Sequence, residues 1–137
     1  MLSDKDREEI VAYKRQKAYD TLHEAEKVAG MGLWNLTGNR LYYATFHMAS
    51  ALLVYNGLSA HTHNGVIHLI GEHFVKKGLL DKDCGRLLSK LYSLRQSGDY
   101  DDRYNATEEE VMGYFPLTQG LLQAMEKLMD DQAKAND

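Results

Sequence analysis

Arg95 has a side chain whose chemistry and position do not match. It follows Leu91 by four positions and Leu88 by seven, so on a helix it continues the apolar face of Cys84, Leu87, Leu88, Leu91 and Leu94. The solvated face falls instead on Lys82, Arg86 and Lys90. An arginine ending an apolar seam has two readings. It can close the helix through its last carbonyls, or it can aim a planar, permanently charged fork at a phosphate. A second set of residues lies at Arg40, Tyr43, His47 and Ser50, one position ahead of the apolar stripe Leu41, Ala44, Met48, Ala51 and Tyr55. A polar stripe of this kind can be a solvated face, a subunit interface or a site. Tyr42, Tyr43 and Phe46 place rings on several sides of the same helix, and aromatic enrichment favours the interface.

These residues have to be positioned by helices. Three- and four-residue apolar spacing runs through the chain, no strand pattern competes with it, and the punctuation marks about five helices. Ser3 or Asp4 caps a first helix over about Lys5 to Val28, ended by Gly30-Met31-Gly32. A second starts near Thr37 or Asn39 and runs to Tyr55, where Asn56-Gly57 signals a turn. Thr62 caps a third through Phe74 to Lys77, stopped by Gly78, and Asp81 caps a fourth. Ser97 to Asp102 reads as a polar loop or a frayed helix end. Thr107 with Glu108, Glu109 and Glu110 forms a capping box for the fifth helix. Pro116 should kink or restart that helix, because it lacks the donor for the Met112 carbonyl. The tail from Asp130 to Asp137 is polar and is expected to fray. Short connections between such helices predict an all-α, up-and-down bundle of four to five helices. The 137 residues form a single domain with its core over about residues 5–128.

Four segments then carry a resemblance. Asn39-Arg40-Leu41-Tyr42-Tyr43-Ala44-Thr45-Phe46-His47, His61-Thr62-His63-Asn64-Gly65-Val66, His73-Phe74-Val75-Lys76-Lys77-Gly78-Leu79-Leu80 and Leu94-Arg95-Gln96-Ser97-Gly98-Asp99-Tyr100-Asp101 resemble, in order, the HEPN (higher eukaryotes and prokaryotes nucleotide-binding) domain family. The resemblance implies a helical bundle that forms a homodimer. It also implies pairing with a small nucleotidyltransferase, often as a toxin–antitoxin module, and in many members metal-independent ribonuclease activity without a cofactor. The family motif is an arginine, often followed by Asn or Asp, with a histidine after four to six intervening residues. Here the arginine falls on Arg95, the following polar residue on Gln96 and the histidine position on Tyr100, as in the branch with Arg-x4-Tyr. Arg95 and Tyr100 are therefore the candidate catalytic pair, and Arg95, Gln96, Arg40 and His47 the candidate phosphate- or RNA-binding residues.

The departure at Tyr100 matters chemically. A neutral imidazole exchanges a proton near pH 7. A phenol, with an ordinary pKa of about 10, donates a hydrogen bond but is a poor base. Arg95 can still stabilise a pentacoordinate phosphate. In some members a tyrosine near the motif accepts a nucleotidyl group from the partner enzyme; Tyr100 and Tyr104 are the candidates, and the alternative to a ribonuclease is a non-catalytic module modified in this way.

Other signals carry less. The net charge of −4 gives no global attraction to nucleic acid, so RNA contact requires a local basic patch, which two Arg95 side chains meeting in a dimer would supply. Among the six histidines, His61 and His63 are two apart in a loop, and His68 and His73 are about 500° apart on a helix, so no metal set is expected. His63 is expected to fix the third helix or the dimer. Cys84 reads as an inert core residue. Gly71, Gly78 and Gly85 read as helix ends or close packing rather than a phosphate loop. Asp99, Asp101 and Asp102 read as a solvated helix terminus that would repel RNA unless Arg95, Arg103 and a dimer mate offset them. A lone cysteine and the absence of an apolar leader or spanning run place the expectation in the cytoplasm, away from membranes.

Overall fold

The computed structural model describes residues 2–136. Five helices make up the fold: α1 (Asp4–Gly30), α2 (Trp34–Tyr55), α3 (His63–Ile70), α4 (Lys82–Tyr100) and α5 (Glu108–Ala135). A π-helical turn, Gly71–Val75, continues α3. The predicted all-α bundle is the observed one, and no strand occurs among the described residues. No helix among them is long and apolar enough to cross a membrane.

Four predicted caps form. Ser3 Oγ accepts from the Asp6 amide at 3.1 Å, Thr62 Oγ1 from Gly65 at 2.9 Å, Asp81 Oδ1 from Asp83 at 3.4 Å and Thr107 Oγ1 from Glu110 at 3.2 Å. The capping box at Thr107 is half made, because the Glu110 carboxylate accepts instead from the Tyr104 hydroxyl at 2.8 Å. Gly32, Gly57 and Gly78 each turn the chain at φ 75°, the left-handed region that L side chains avoid.

Several expected boundaries move. Helix α2 begins at Trp34, ahead of Thr37 and Asn39, and Leu33 at its N-cap offers no side-chain bond. Thr37 cannot be the cap because its hydroxyl donates back to the Leu33 carbonyl at 2.8 Å, inside the helix. The third helix is not a regular α-helix to Lys77: the ladder widens at Gly71, whose carbonyl accepts from Lys76 at 2.8 Å, and Phe74 is thereby set into the core. Helix α4 continues through Ser97 and Gly98 to Tyr100. Helix α5 passes Pro116 without restarting. The freed Met112 carbonyl lies on a stretch where Met112, Gly113, Pro116 and Leu117 are exposed, so the loss of the Pro116 donor falls on the solvent side of the helix. The same helix runs on to Ala135 through the segment expected to fray from Asp130, where Lys127 pairs with Asp131 at 2.9 Å and Gln132 exchanges bonds with Asn56. Asp137, the end of that predicted tail, lies outside the described residues.

Helix α2 is central: α1, α3, α4 and α5 all pack on it. Leu41, Ala44, Met48 and Ala51 are buried as predicted, together with Tyr42, Thr45, Ala49, Leu52 and Leu53, so more than one stripe of this helix is interior. Tyr55, the last residue of the predicted stripe, is half-buried. The stripe Arg40, Tyr43, His47 and Ser50 is also half-buried and lies along one edge of α2.

Candidate functional site

Arg95 sits in the last turns of α4 with its side chain only 11% exposed. Its guanidinium does not reach the helix-end carbonyls; Nε donates to Asp99 Oδ2 at 3.0 Å and Nη2 donates to the Tyr100 hydroxyl at 3.2 Å. The charge also lies 5.4 Å from the centre of the Tyr43 ring and 5.3 Å from that of Tyr100, within cation–π range of both. Arg95 and Tyr100 are thus brought together as predicted, with Tyr43 of α2 as a second wall. Tyr100 as a residue is 70% exposed. Because its oxygen accepts from Arg95, its own hydrogen is available to a ligand.

Arg40 lies against the same Tyr43 ring at 5.3 Å. Its Nε and Nη2 donate to Asn39 Oδ1 at 3.0 and 2.8 Å, and its Nη1 to Glu24 at 3.3 Å. Asn39 Nδ2 donates in turn to Asp99 Oδ2 at 3.0 Å. The two arginines are therefore joined by a polar chain, Arg40–Asn39–Asp99–Arg95, laid across one tyrosine ring. Such a chain holds side chains that would otherwise be free to rotate, which is what a preorganised anion site needs.

His47 follows Tyr43 along α2, with ring centres 6.2 Å apart. Burial, then the positive charges of Lys17, Lys14 and Arg40, push its pKa down to about 4, so the ring is neutral at pH 7. Its surroundings mark a local positive field, from α1 as well as α2, on a chain that is acidic overall. Gln96 is exposed and makes its side-chain bond to the Tyr92 hydroxyl, donating at 2.8 Å. Tyr104 is not part of the cluster. It borders a shallow hollow with Ser93, Ser97, Glu110 and Tyr114, and Ser93 and Ser97 are each two residues from Arg95, on the other side of α4. Burial and the Glu110 carboxylate raise its pKa to about 12.

Three participants were not assigned to this site by sequence reasoning. Asp99 orients Arg95, a pairing that its i,i+4 spacing signals. Asn39 gives no such signal, since its partner is sixty positions away. His63, at the start of α3, holds Nδ1 2.7 Å from the buried Tyr42 hydroxyl, and the ring tautomer sets which of the two donates. Its ring lies among Tyr42, Tyr43, Phe46 and Tyr92 at centre distances of 4.8 to 5.8 Å. That agrees with His63 helping to fix the third helix. Among the described residues no three His, Cys, Asp or Glu side chains converge as a metal site would require. Cys84 is half-buried, and burial raises its thiol pKa, which disfavours the reactive thiolate.

The chain is similar over most of its length to known proteins. The chain is 34% identical over 130 residues to a UPF0332 protein of Thermotoga maritima, covering 95% of this chain and 98% of that one. It is 40% identical over 85 residues to a UPF0332 protein of Archaeoglobus fulgidus, covering 62% and 67% of the two chains. It is also 43% identical over 72 residues to a Methanocaldococcus jannaschii protein named "Putative toxin", covering 53% of each. The HEPN domain matches residues 11–128, which span all five helices in whole or in part and include the Arg95 cluster, and the chain belongs to the HEPN domain family.

Proposed function

We propose that this protein is a dimeric, toxin-like HEPN protein that binds and cleaves RNA without a metal, and that it works in the cytoplasm beside a small nucleotidyltransferase. The observation that carries this reading is the Arg95 guanidinium, largely buried, fixed by Asp99 and flanked by two tyrosine rings. Fixed in this way, it is suited to a phosphodiester whose neighbouring bases stack on exposed aromatic rings. During attack of a ribose 2′-hydroxyl on the adjacent phosphorus, negative charge builds on the non-bridging oxygens. A preorganised guanidinium stabilises that charge without reorganising. The family membership and the relative whose name carries the word toxin support the same reading. A symmetric dimer that brings two Arg95 side chains to one cleft would double the positive charge facing the RNA.

A second reading rests on Tyr100. Its hydroxyl is exposed beside Arg95, whereas that of Tyr104 is tied to Glu110. Tyr100 is accordingly the better acceptor of an AMP group from a nucleotidyltransferase, in an interaction module without its own activity.

The test is incubation of purified protein with a mixed-sequence RNA in EDTA, beside light scattering at micromolar concentration. A dimer that cleaves, with Arg95→Ala inactive, supports the first reading. A folded dimer that leaves RNA intact but gains an adenylyl group on Tyr100, seen by mass spectrometry after incubation with a nucleotidyltransferase and ATP, moves the assignment to the second. A monomer removes the shared cleft.

A further inference from the structure

We propose that His63, held by Tyr42, is the proton-transfer residue of the Arg95 site and takes the proton of the attacking 2′-hydroxyl. The proposal rests on the RNA-cleaving reading above and supplies what that reading lacks. Tyr100 occupies the position where the family motif has its imidazole, and a phenol is a poor base near pH 7. His63 lies far from the motif in sequence, but the fold brings its ring against Tyr43, the same ring that Arg95 and Arg40 face.

The geometry is directional. Nδ1 faces the Tyr42 hydroxyl at 2.7 Å, and Tyr42 is fully buried. Phe46 and Tyr92 enclose the ring, at centre distances of 4.8 and 5.7 Å, with Tyr92 stacked. Those contacts leave Nε2 with no protein partner among the described residues, and it is not sealed from solvent. One ring nitrogen is anchored and the other is free, which is the arrangement of a general base with an orienting group behind it.

The charged and titratable groups facing His63 are Tyr42 and Tyr43 from α2, and Tyr92 and Arg95 from α4, with Arg95 itself paired to Asp99. Burial, then the charge of Arg95, lowers the imidazole pKa below its ordinary value, so the ring is neutral and able to accept a proton at pH 7. Burial raises the Tyr42 pKa, so its oxygen stays a protonated phenol that can receive the Nδ1 hydrogen.

The step balances. In the tautomer that carries its hydrogen on Nδ1, that hydrogen is donated to the Tyr42 oxygen while the free Nε2 takes the 2′-hydroxyl proton. The 2′-oxygen bonds to phosphorus, the bond from phosphorus to the 5′-oxygen breaks, and that oxygen takes a proton from water. The imidazolium then returns its proton to water. A 2′,3′-cyclic phosphate and a 5′-hydroxyl result.

Single-turnover cleavage in EDTA, measured from pH 4.5 to 8, separates this role from a structural one. In the wild type the rate should climb tenfold per pH unit at the acidic end and level off below pH 6.5. His63→Gln should lose most of the rate together with that limb. Arg95→Gln should keep a weak limb, moved toward higher pH because a neighbouring positive charge is gone. Tyr42→Phe should keep the limb but shift it. If His63→Gln does not fold, NMR of the wild type replaces it. The His63 ring proton should titrate below its ordinary value and shift when an RNA blocked by a 2′-deoxy sugar at the cleavage position binds; no shift on binding overturns the proposal. An unchanged rate and limb in folded His63→Gln overturns it while leaving Arg95-dependent cleavage standing. No cleavage by the wild type overturns both.

Discussion

Arg95 Nε and Asp99 Oδ2 are 3.0 Å apart, and the same carboxylate oxygen accepts from Asn39 at 3.0 Å. A helix-end salt bridge thus becomes a link between α4 and α2, and through Asn39 it reaches Arg40. The carboxylate lowers the net charge of the site, but it also fixes which edge of the guanidinium faces outward. Asp99 is expected to act on Arg95 by positioning it. Asp99→Ala should lower stability by about 1–2 kcal/mol, because it leaves a largely buried guanidinium without its carboxylate partner. Cleavage at saturating RNA should fall by about tenfold or more, because a misplaced group loses its alignment. RNA affinity should hold or tighten, since a negative charge is removed. Urea unfolding, a binding titration and single-turnover rates check the three statements.

His47 should make the fold sensitive to acid. Its pKa in the folded protein is about 4, against about 6.5 in the unfolded chain. The unfolded state therefore binds the proton first, and the contribution of neutral His47 is fully present above pH 6.5. It is lost as pH falls from 6.5 toward 4, on the order of 2 kcal/mol after allowance for solvent screening. His47→Gln should flatten the dependence of stability on pH in that window, as measured by urea unfolding at pH 7.5, 6 and 4.5.

Tyr100 can be tested by two replacements with opposite expected effects. Its hydroxyl accepts from Arg95 and has a hydrogen left to donate. Tyr100→Phe should reduce cleavage by about tenfold, the scale of one lost hydrogen bond in the transition state. Tyr100→His should restore the family's usual pair and raise the rate near neutral pH. Both are read by single-turnover cleavage of a mixed RNA, with dimer content checked in parallel.

Local chemistry made much of the fold legible in the sequence. Ser3, Thr62, Asp81 and Thr107 cap helices because their side-chain oxygens lie within three residues of free amides. The start of α2 was not legible, because Leu33 has no capping atom and the nearby Thr37 mimics one. The π-turn at Gly71–Val75 was hidden too, since one widened turn leaves no periodicity to read. At the candidate site, Arg95 and Tyr100 stood out by spacing and resemblance. The Asn39–Asp99 and Tyr42–His63 bonds did not, because each joins residues on different helices and depends on how those helices pack.

The central claim is that Arg95 faces phosphate, and the most direct measurement is RNA affinity and thermal stability of Arg95→Ala in the same preparation. With a short fluorescent RNA at fixed salt, binding should weaken by about tenfold or more, the scale of a lost charge-assisted contact. The melting transition should stay cooperative, with stability lowered by only about 1–2 kcal/mol from the broken Asp99 and cation–π contacts. Wild-type affinity in folded Arg95→Ala, or outright unfolding with unchanged binding by the folded remainder, would contradict the account and make Arg95 a structural residue.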